Sequence, residues 1–244
     1  MGRLIGKVAI ITGAGSGQGA AEAKLFAAEG AKVAVTDINE AAARKVAADI
    51  GASAIAVRHD VTSESDWLNV VAETRKAFDA IHVLINSAGV YKPRPLQYTD
   101  RTLLDLHYNV NVVGVFLGMA AVREVMRDSG GGSIVNIASG AGLRGFPGML
   151  AYSGSKWMVR GISRCAAIDL AAEKIRVNVV LPGIIDTPML AENPPEILAA
   201  LPHMPPAKRL GTVDEIAQTV LFLASDEASY IMGAEVNVCG GLMA

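Results

Sequence analysis

Seven short, β-branched apolar runs punctuate the 244-residue chain, each separated from the next by a longer segment. They read Val8–Thr12, Lys32–Thr36, Ala54–Val57, His82–Asn86, Ser133–Ala138, Arg176–Val180 and Glu235–Val238. Stretches such as Val83-Leu84-Ile85 and Ile134-Val135 show no polar alternation, the pattern of strands covered on both faces. Most of the intervening segments have helical character: Ala20–Glu29, Glu40–Asp49, Glu64–Phe78, Thr102–Arg127, Tyr152–Glu173 and Val213–Ala224. Strands alternating with helices predict an α/β fold, a doubly wound, seven-stranded parallel sheet with helices on both faces. Such a core needs apolar residues, and they make up 51% of the chain against 19% charged, which argues against disorder. No low-complexity linker divides the sequence, so residues 1–244 read as one Rossmann-type domain.

One segment breaks the rhythm. Between Pro188 and Pro206 stand further prolines at 194, 195, 202 and 205. Each would cost about 3 kcal/mol inside a helix. The segment therefore reads as a broken excursion with a short helix near Glu196–Leu201, placed as a lid over a site.

Several function classes are not expected. Net charge is −2, from 22 basic and 24 acidic residues, and no basic run suggests a nucleic-acid partner. Cys165 and Cys239 form neither a disulfide framework nor a zinc motif, and both read as small buried apolar residues. No metal site is expected. Residues 1–8 lack the apolar core of a leader, and Gly6 stands where a myristoylation motif wants Ser or Thr. The longest apolar stretch, Val110–Val122, is interrupted by Asn111 and is short for a bilayer span, so a cytoplasmic protein without a membrane partner is expected.

Two motifs carry chemistry. Thr12-Gly13-Ala14-Gly15-Ser16-Gly17-Gln18-Gly19 joins the first strand to the first helix. Glycines there let the backbone approach a pyrophosphate, and the helix N-terminus offers free N–H groups to it. Asp37, about 20 residues on, ends the second strand, where a carboxylate binds the adenosine ribose diol and repels a 2′-phosphate. Neither Ser16 nor Ile38 supplies the cation a 2′-phosphate wants, so NAD is expected over NADP. As an alternative Asp37 caps the next helix, although Asn39 suits that role as well or better. The second motif is Tyr152-x-x-x-Lys156. Residues four apart share a helix face, so phenol and ammonium can meet in one cleft. Lowering a phenol pKa from about 10 by about three units requires about 4 kcal/mol. A cation roughly 4 Å away at an effective dielectric near 20 supplies about that much, so Lys156, helped by the positive nicotinamide ring of NAD, is adequate in sign and size.

Taken in order, these motifs resemble the short-chain dehydrogenase/reductase family over almost the whole chain, most closely its bacterial 3α,20β-hydroxysteroid dehydrogenase-like members. The loop Thr12–Gly19 looks like the family's TGxxxGxG, with Gln18 departing from the usual Ile or Leu. Asp60-Val61 resembles the pair that holds adenine. Asn86-Ser87-Ala88-Gly89 is similar to the family's NNAG, with Ser87 replacing Asn. The resemblance implies that Asn111 orders a water in a proton relay, that Ser139 hydrogen-bonds the substrate oxygen, and that Tyr152 and Lys156 are the catalytic pair. It further implies that Pro182-Gly183, Ile185 and Thr187 hold the nicotinamide, alongside Tyr152 and Lys156. Each has a plainer alternative: Ser139 ends a strand, Asn111 bonds backbone within a helix, Asn86 is a turn residue and Thr187 a helix cap.

The implied activity is NAD-dependent interconversion of a secondary alcohol and a ketone. Leu143, Phe146, Met149, Ile184, Met189 and Leu190 would line a pocket for a bulky or cyclic hydrophobic substrate. A 3-oxoacyl-thioester reductase, a sugar or polyol dehydrogenase and a non-catalytic NAD-binding sensor are the alternatives. Arg144 is left for an anionic substrate or a subunit contact. Family membership implies a homotetramer packed through the Thr102–Arg127 and Tyr152–Glu173 regions, with the apolar tail Cys239–Ala244 against a neighbour.

Overall fold

Every residue of the first strand, β1 (Val8–Thr12), is buried, as a strand sandwiched between two helical layers must be. The computed structural model describes residues 2–244; Met1, at the head of the stretch read for a leader, lies outside them. From β1 the chain runs through α1 (Gly17–Ala28), β2 (Lys32–Asp37), α2 (Glu40–Ile50), β3 (Ala54–Arg58), α3 (Glu64–Phe78), β4 (Val83–Asn86), α4 (Arg101–Tyr108), α5 (Gly114–Asp128) and β5 (Gly132–Ile137). It continues through α6 (Leu150–Asp169), β6 (Ile175–Pro182), α7 (Pro195–Ala200), α8 (Val213–Ala224) and β7 (Glu235–Val238). All seven strands are parallel and lie in the order β3-β2-β1-β4-β5-β6-β7. This is the expected doubly wound sheet. Strand order reverses between β1 and β4, and a crevice opens there at the carboxyl ends of the strands, the position where such sheets bind ligands.

Two apolar cores flank the sheet. One contains Phe26, Val46, Ile216 and Val220 from α1, α2 and α8 on the side of Ile11 and Val35. The other contains Trp67, Val122, Met126 and Val159 from α3, α5 and α6 against Ile10 and Leu84. Helix ends are set by local chemistry. Asn39, not Asp37, caps α2, its side chain accepting from the Ala42 N–H. Thr212 and Glu215 form a reciprocal capping box on α8.

Three boundaries differ from expectation. The first helix starts at Gly17, inside the glycine motif rather than at Ala20. The Tyr152 helix begins earlier, at Leu150, and its α-helical part stops at Asp169. The Thr102–Arg127 helix is interrupted by a widened turn at Asn109–Val113. With that turn included, Arg101–Asp128 is a 28-residue helix long and apolar enough by composition to cross a membrane, so length does not exclude a span. The helix instead lies on β4, β5 and α3, burying Val115, Gly118, Met119, Val122 and Met126 against them. The 188–206 excursion is broken as expected, with 3₁₀ turns at Pro188–Glu192 and Leu201–His203 around α7. The cysteines depart from expectation: Cys165 is exposed and Cys239 half-buried.

Candidate active site

The crevice at the strand ends is a cleft of about 310 Å³ that runs from the glycine loop, past the Tyr152 helix, to the proline-rich excursion. The glycine loop forms its floor. Gly13 has φ +63°, and a side chain on it would strike the Ala88 backbone. A Cβ on Gly19 would stand 2.5 Å from the Gly13 carbonyl oxygen, so only glycine lets α1 start this close to β1. Ser16 precedes α1 in extended conformation, and its hydroxyl caps no backbone group. The first turn of α1 therefore keeps its N–H groups and dipole for an anion. Asp37 borders the same cleft, accepting from the Gly15 N–H at 3.0 Å and from the Asn39 N–H at 2.8 Å. A cradle that side chains would fill, followed by a carboxylate at the end of β2, fits a dinucleotide.

Of the residues expected to hold that dinucleotide, Gly13, Ser16, Gly17, Gln18, Gly19, Asp37, Ala88, Gly89, Tyr152, Lys156, Pro182, Gly183, Ile185 and Thr187 line the cleft. Thr187 faces Gly17 across it. The remaining four do not line it. Ile38 points to solvent with 63% exposure. Asp60 accepts from the Thr62 backbone and hydroxyl. Val61 packs on the Gly114 backbone and offers its carbonyl to the Trp67 indole. Asn86 is no turn residue; its amide donates to the Asn136 side chain at 2.8 Å in the buried interior of the sheet.

Beyond the glycine loop, Ser139, Tyr152 and Lys156 meet at the end of β5 and the start of α6. Ser139 ends the β5 segment with its hydroxyl accepting from the Ala141 N–H, and it lies near enough to the Tyr152 phenol to favour the phenolate. Tyr152 and Lys156 share one face of α6, as their spacing requires. Burial holds the Tyr152 phenol above its ordinary pKa, with the Ser139 hydroxyl acting in the opposite sense. The same burial pushes Lys156 down to about 8. The ammonium lies 5.8 Å from the centre of the Tyr152 ring and donates to the Ile137 carbonyl at 2.8 Å. Desolvation is the largest cause of both shifts, so a lowered phenol pKa needs the positive charge that bound NAD would add beside Lys156.

Asn111 is buried in the widened turn and does not reach the cleft wall with its side chain. Its Oδ1 accepts from the Val90 N–H at 2.8 Å, and its Nδ2 donates to the Val90 carbonyl and to the Ser155 hydroxyl, each at 3.0 Å. The side chain thus ties the loop after β4 to α6.

Phe146, Met149, Ile184, Met189 and Leu190 line the outer cleft as expected, but Leu143 does not; it packs into the core beside α6. Arg144 lies over the Phe146 ring, 4.7 Å from its centre. Sequence reasoning missed Tyr91, Asn193, Met204 and the tail residues Leu242 and Met243, all of which line the cleft. In the tail, Met243 lies beside Gly140 of its own chain. No local motif marks these residues, because loops far apart in sequence bring them together. Among the described residues, no group of three or more His, Cys, Asp or Glu side chains is placed to hold a metal ion.

The fold and this cleft define a dinucleotide-binding oxidoreductase of the doubly wound class. Residues 13–243 match the family model described as Enoyl-(Acyl carrier protein) reductase, and the chain belongs to this branch of the short-chain dehydrogenase/reductase family, whose members bind nicotinamide cofactors. It is 40% identical over 242 residues to 2,5-dichloro-2,5-cyclohexadiene-1,4-diol dehydrogenase LinX of Sphingobium indicum, covering 98% of this chain and 97% of that protein. It is 39% identical to the 3-alpha-(or 20-beta)-hydroxysteroid dehydrogenase of Mycobacterium tuberculosis, covering 100% of this chain and 92% of that one. Among solved structures, 3-ketoacyl-(acyl-carrier-protein) reductase from Brucella melitensis complexed with NADH superposes with a TM-score of 0.94 at 34% identity, covering 99% of this chain and 100% of that one.

Proposed function

We propose that the protein is an NAD-dependent dehydrogenase that interconverts a cyclic secondary alcohol and its ketone. Residues 1–244 work as one domain, with 188–206 as its lid. The observation that carries the reading is the convergence of Ser139, Tyr152 and Lys156 on a cleft whose outer half is almost wholly apolar and whose inner half is a glycine cradle. The names of the similar dehydrogenases, a cyclohexadiene-diol dehydrogenase and a hydroxysteroid dehydrogenase, support a cyclic substrate.

When bound, NAD supplies the hydride acceptor and a positively charged ring. The chain does the rest. Ser139 and Tyr152 hold the substrate oxygen, and the Tyr152 oxygen takes the alcohol proton in oxidation or gives it back in reduction. The buried Lys156 ammonium offers donors to a ribose and keeps positive charge beside the phenol. Asn111 holds the β4 loop against α6 so that this geometry persists. Asp37 accepts the adenosine diol and selects against a 2′-phosphate.

The apolar lining of Phe146, Met149, Met189 and Leu190 disfavours a polyol. The superposable ketoacyl reductase keeps a 3-oxoacyl thioester as the second reading, and its NADH complex means that cofactor choice alone does not separate the two. The test is reduction of cyclic ketones and of a 3-oxoacyl thioester with NADH and with NADPH. A higher kcat/KM with NADH on a cyclic ketone is expected. Asp37→Asn should then shift the NADH/NADPH ratio toward NADPH by roughly tenfold or more, the scale of a lost charged hydrogen bond. Faster thioester reduction, or NADPH preferred by the wild type, would overturn the reading.

A further inference from the structure

The outer cleft is apolar except at one point. Tyr91, three residues past Ser87-Ala88 on the loop after β4, and Asn193, on the excursion, meet inside it although 102 residues apart in sequence. The Tyr91 hydroxyl donates to Asn193 Oδ1 at 2.8 Å, and each residue is only 8% exposed. The Tyr91 ring packs edge-on against the Tyr152 ring with centres 5.0 Å apart. The pair therefore stands directly beside the proposed reacting centre. Lys92 and Glu192, the chain neighbours of these two residues, form an ion pair at 3.5 Å on the outer side.

Polar groups in an apolar cleft carry a desolvation cost unless they serve a partner. Counting donors and acceptors shows what this pair has left. Tyr91 spends its only proton on Asn193 and keeps acceptor capacity on its oxygen. Asn193 Nδ2 carries two N–H groups and spends one on the Leu190 carbonyl at 2.9 Å. Acceptor capacity on the Tyr91 oxygen and on Asn193 Oδ1 remains, together with one Asn193 N–H donor. That combination complements a hydroxyl, which both gives and takes a hydrogen bond.

We propose that Tyr91 and Asn193 form a second recognition point for the substrate, reading a hydroxyl on the ring at a carbon other than the reacting one. The inference rests on the proposed cyclic alcohol/ketone activity and narrows it: the preferred substrate is a cyclic hydroxyketone or diol rather than a simple cyclic alcohol. The reacting oxygen sits at Ser139 and Tyr152, the second oxygen at Tyr91 and Asn193, and the hydrocarbon between them against Met149 and Leu190. The same contact joins the loop after β4 to the excursion, so a substrate hydroxyl would bridge both walls of the cleft.

The experiment compares ketones matched in skeleton: cyclohexanone with 4-hydroxycyclohexanone, and 2-decalone with 6-hydroxy-2-decalone, each reduced with NADH by wild type, Tyr91→Phe and Asn193→Leu. The distal hydroxyl barely alters the carbonyl, so the ratio of kcat/KM within a pair reports recognition alone. A preference of about tenfold for the hydroxyketone is expected in at least one skeleton, falling toward unity in both variants. Turnover of all four ketones without preference would overturn the inference while leaving the proposed activity standing. A wild-type preference retained in both variants would also overturn it, and would reduce Tyr91 and Asn193 to a fastening of the excursion. Failure to turn over any of the ketones would overturn the activity and the inference together.

Discussion

At Glu22, on the buried face of α1, both carboxylate oxygens are shut away from solvent without a hydrogen bond of normal geometry, and Ser87 is the near polar neighbour. Burial raises this carboxyl to about 7, because the charged form loses its hydration. The folded chain therefore holds a proton that the unfolded chain releases near its ordinary value of 4.5. Stability from this group is fully present below that value and is lost as pH rises through about 7, an effect on the order of 3 kcal/mol. His59 works the other way: burial pushes it down to about 4, so its contribution is lost as pH falls from 6.5 toward that value. The two overlap and partly cancel, so the comparison must be with Glu22→Gln. Urea unfolding of both proteins at pH 4.5 and pH 7.5 should show wild type losing on the order of 3 kcal/mol relative to the variant. Parallel curves would show that the carboxyl reaches a partner or solvent.

The glycine loop and the excursion show how elements build the cleft. A methyl on Gly19 has no room beside the Gly13 carbonyl, so Gly19→Ala must push α1 away from β1. We expect NADH affinity to fall more than tenfold and stability by about 1–3 kcal/mol, read by fluorescence titration and urea unfolding. Unchanged affinity would remove the loop from the cofactor site. This cradle was legible in the sequence because its chemistry is local: strand, glycine spacing and helix stand in one continuous segment. So were the seven strands, whose apolar runs need no partner to be recognised. The widened turn around Asn111 was not, since nothing in Val110-Asn111-Val112-Val113 departs from a helical pattern. It coincides with tertiary contacts from Asn111 to Val90 and Ser155, which no local pattern announces. Tyr91 and Asn193 escaped notice for the same reason, and Leu143 was misplaced because an apolar residue near a site cannot be told from core by type.

For the whole molecule, the helices expected to form subunit contacts expose apolar side chains: Tyr108 and Phe116 on the α4–α5 helix, and Trp157, Met158 and Ile168 on α6, with Ile168 78% exposed. Patches of this kind mark association surfaces. We propose a homotetramer closed through these helices; sedimentation equilibrium should give the mass of four chains, and Phe116→Arg should lower it, whereas a monomeric wild type would contradict the proposal. Burial of the whole cleft raises the Tyr152 phenol, and Lys156 beside it does not reverse that. In the chain alone, burial thus favours the protonated phenol, the form that donates in ketone reduction. The most direct measurement is single-turnover oxidation of NADH by a cyclic ketone in Tyr152→Phe, with NADH binding followed by fluorescence on the same sample. NADH bound as in wild type with hydride transfer slowed at least a thousandfold is the predicted result. Transfer at the wild-type rate with cofactor bound would contradict the assignment of Tyr152 as the proton carrier.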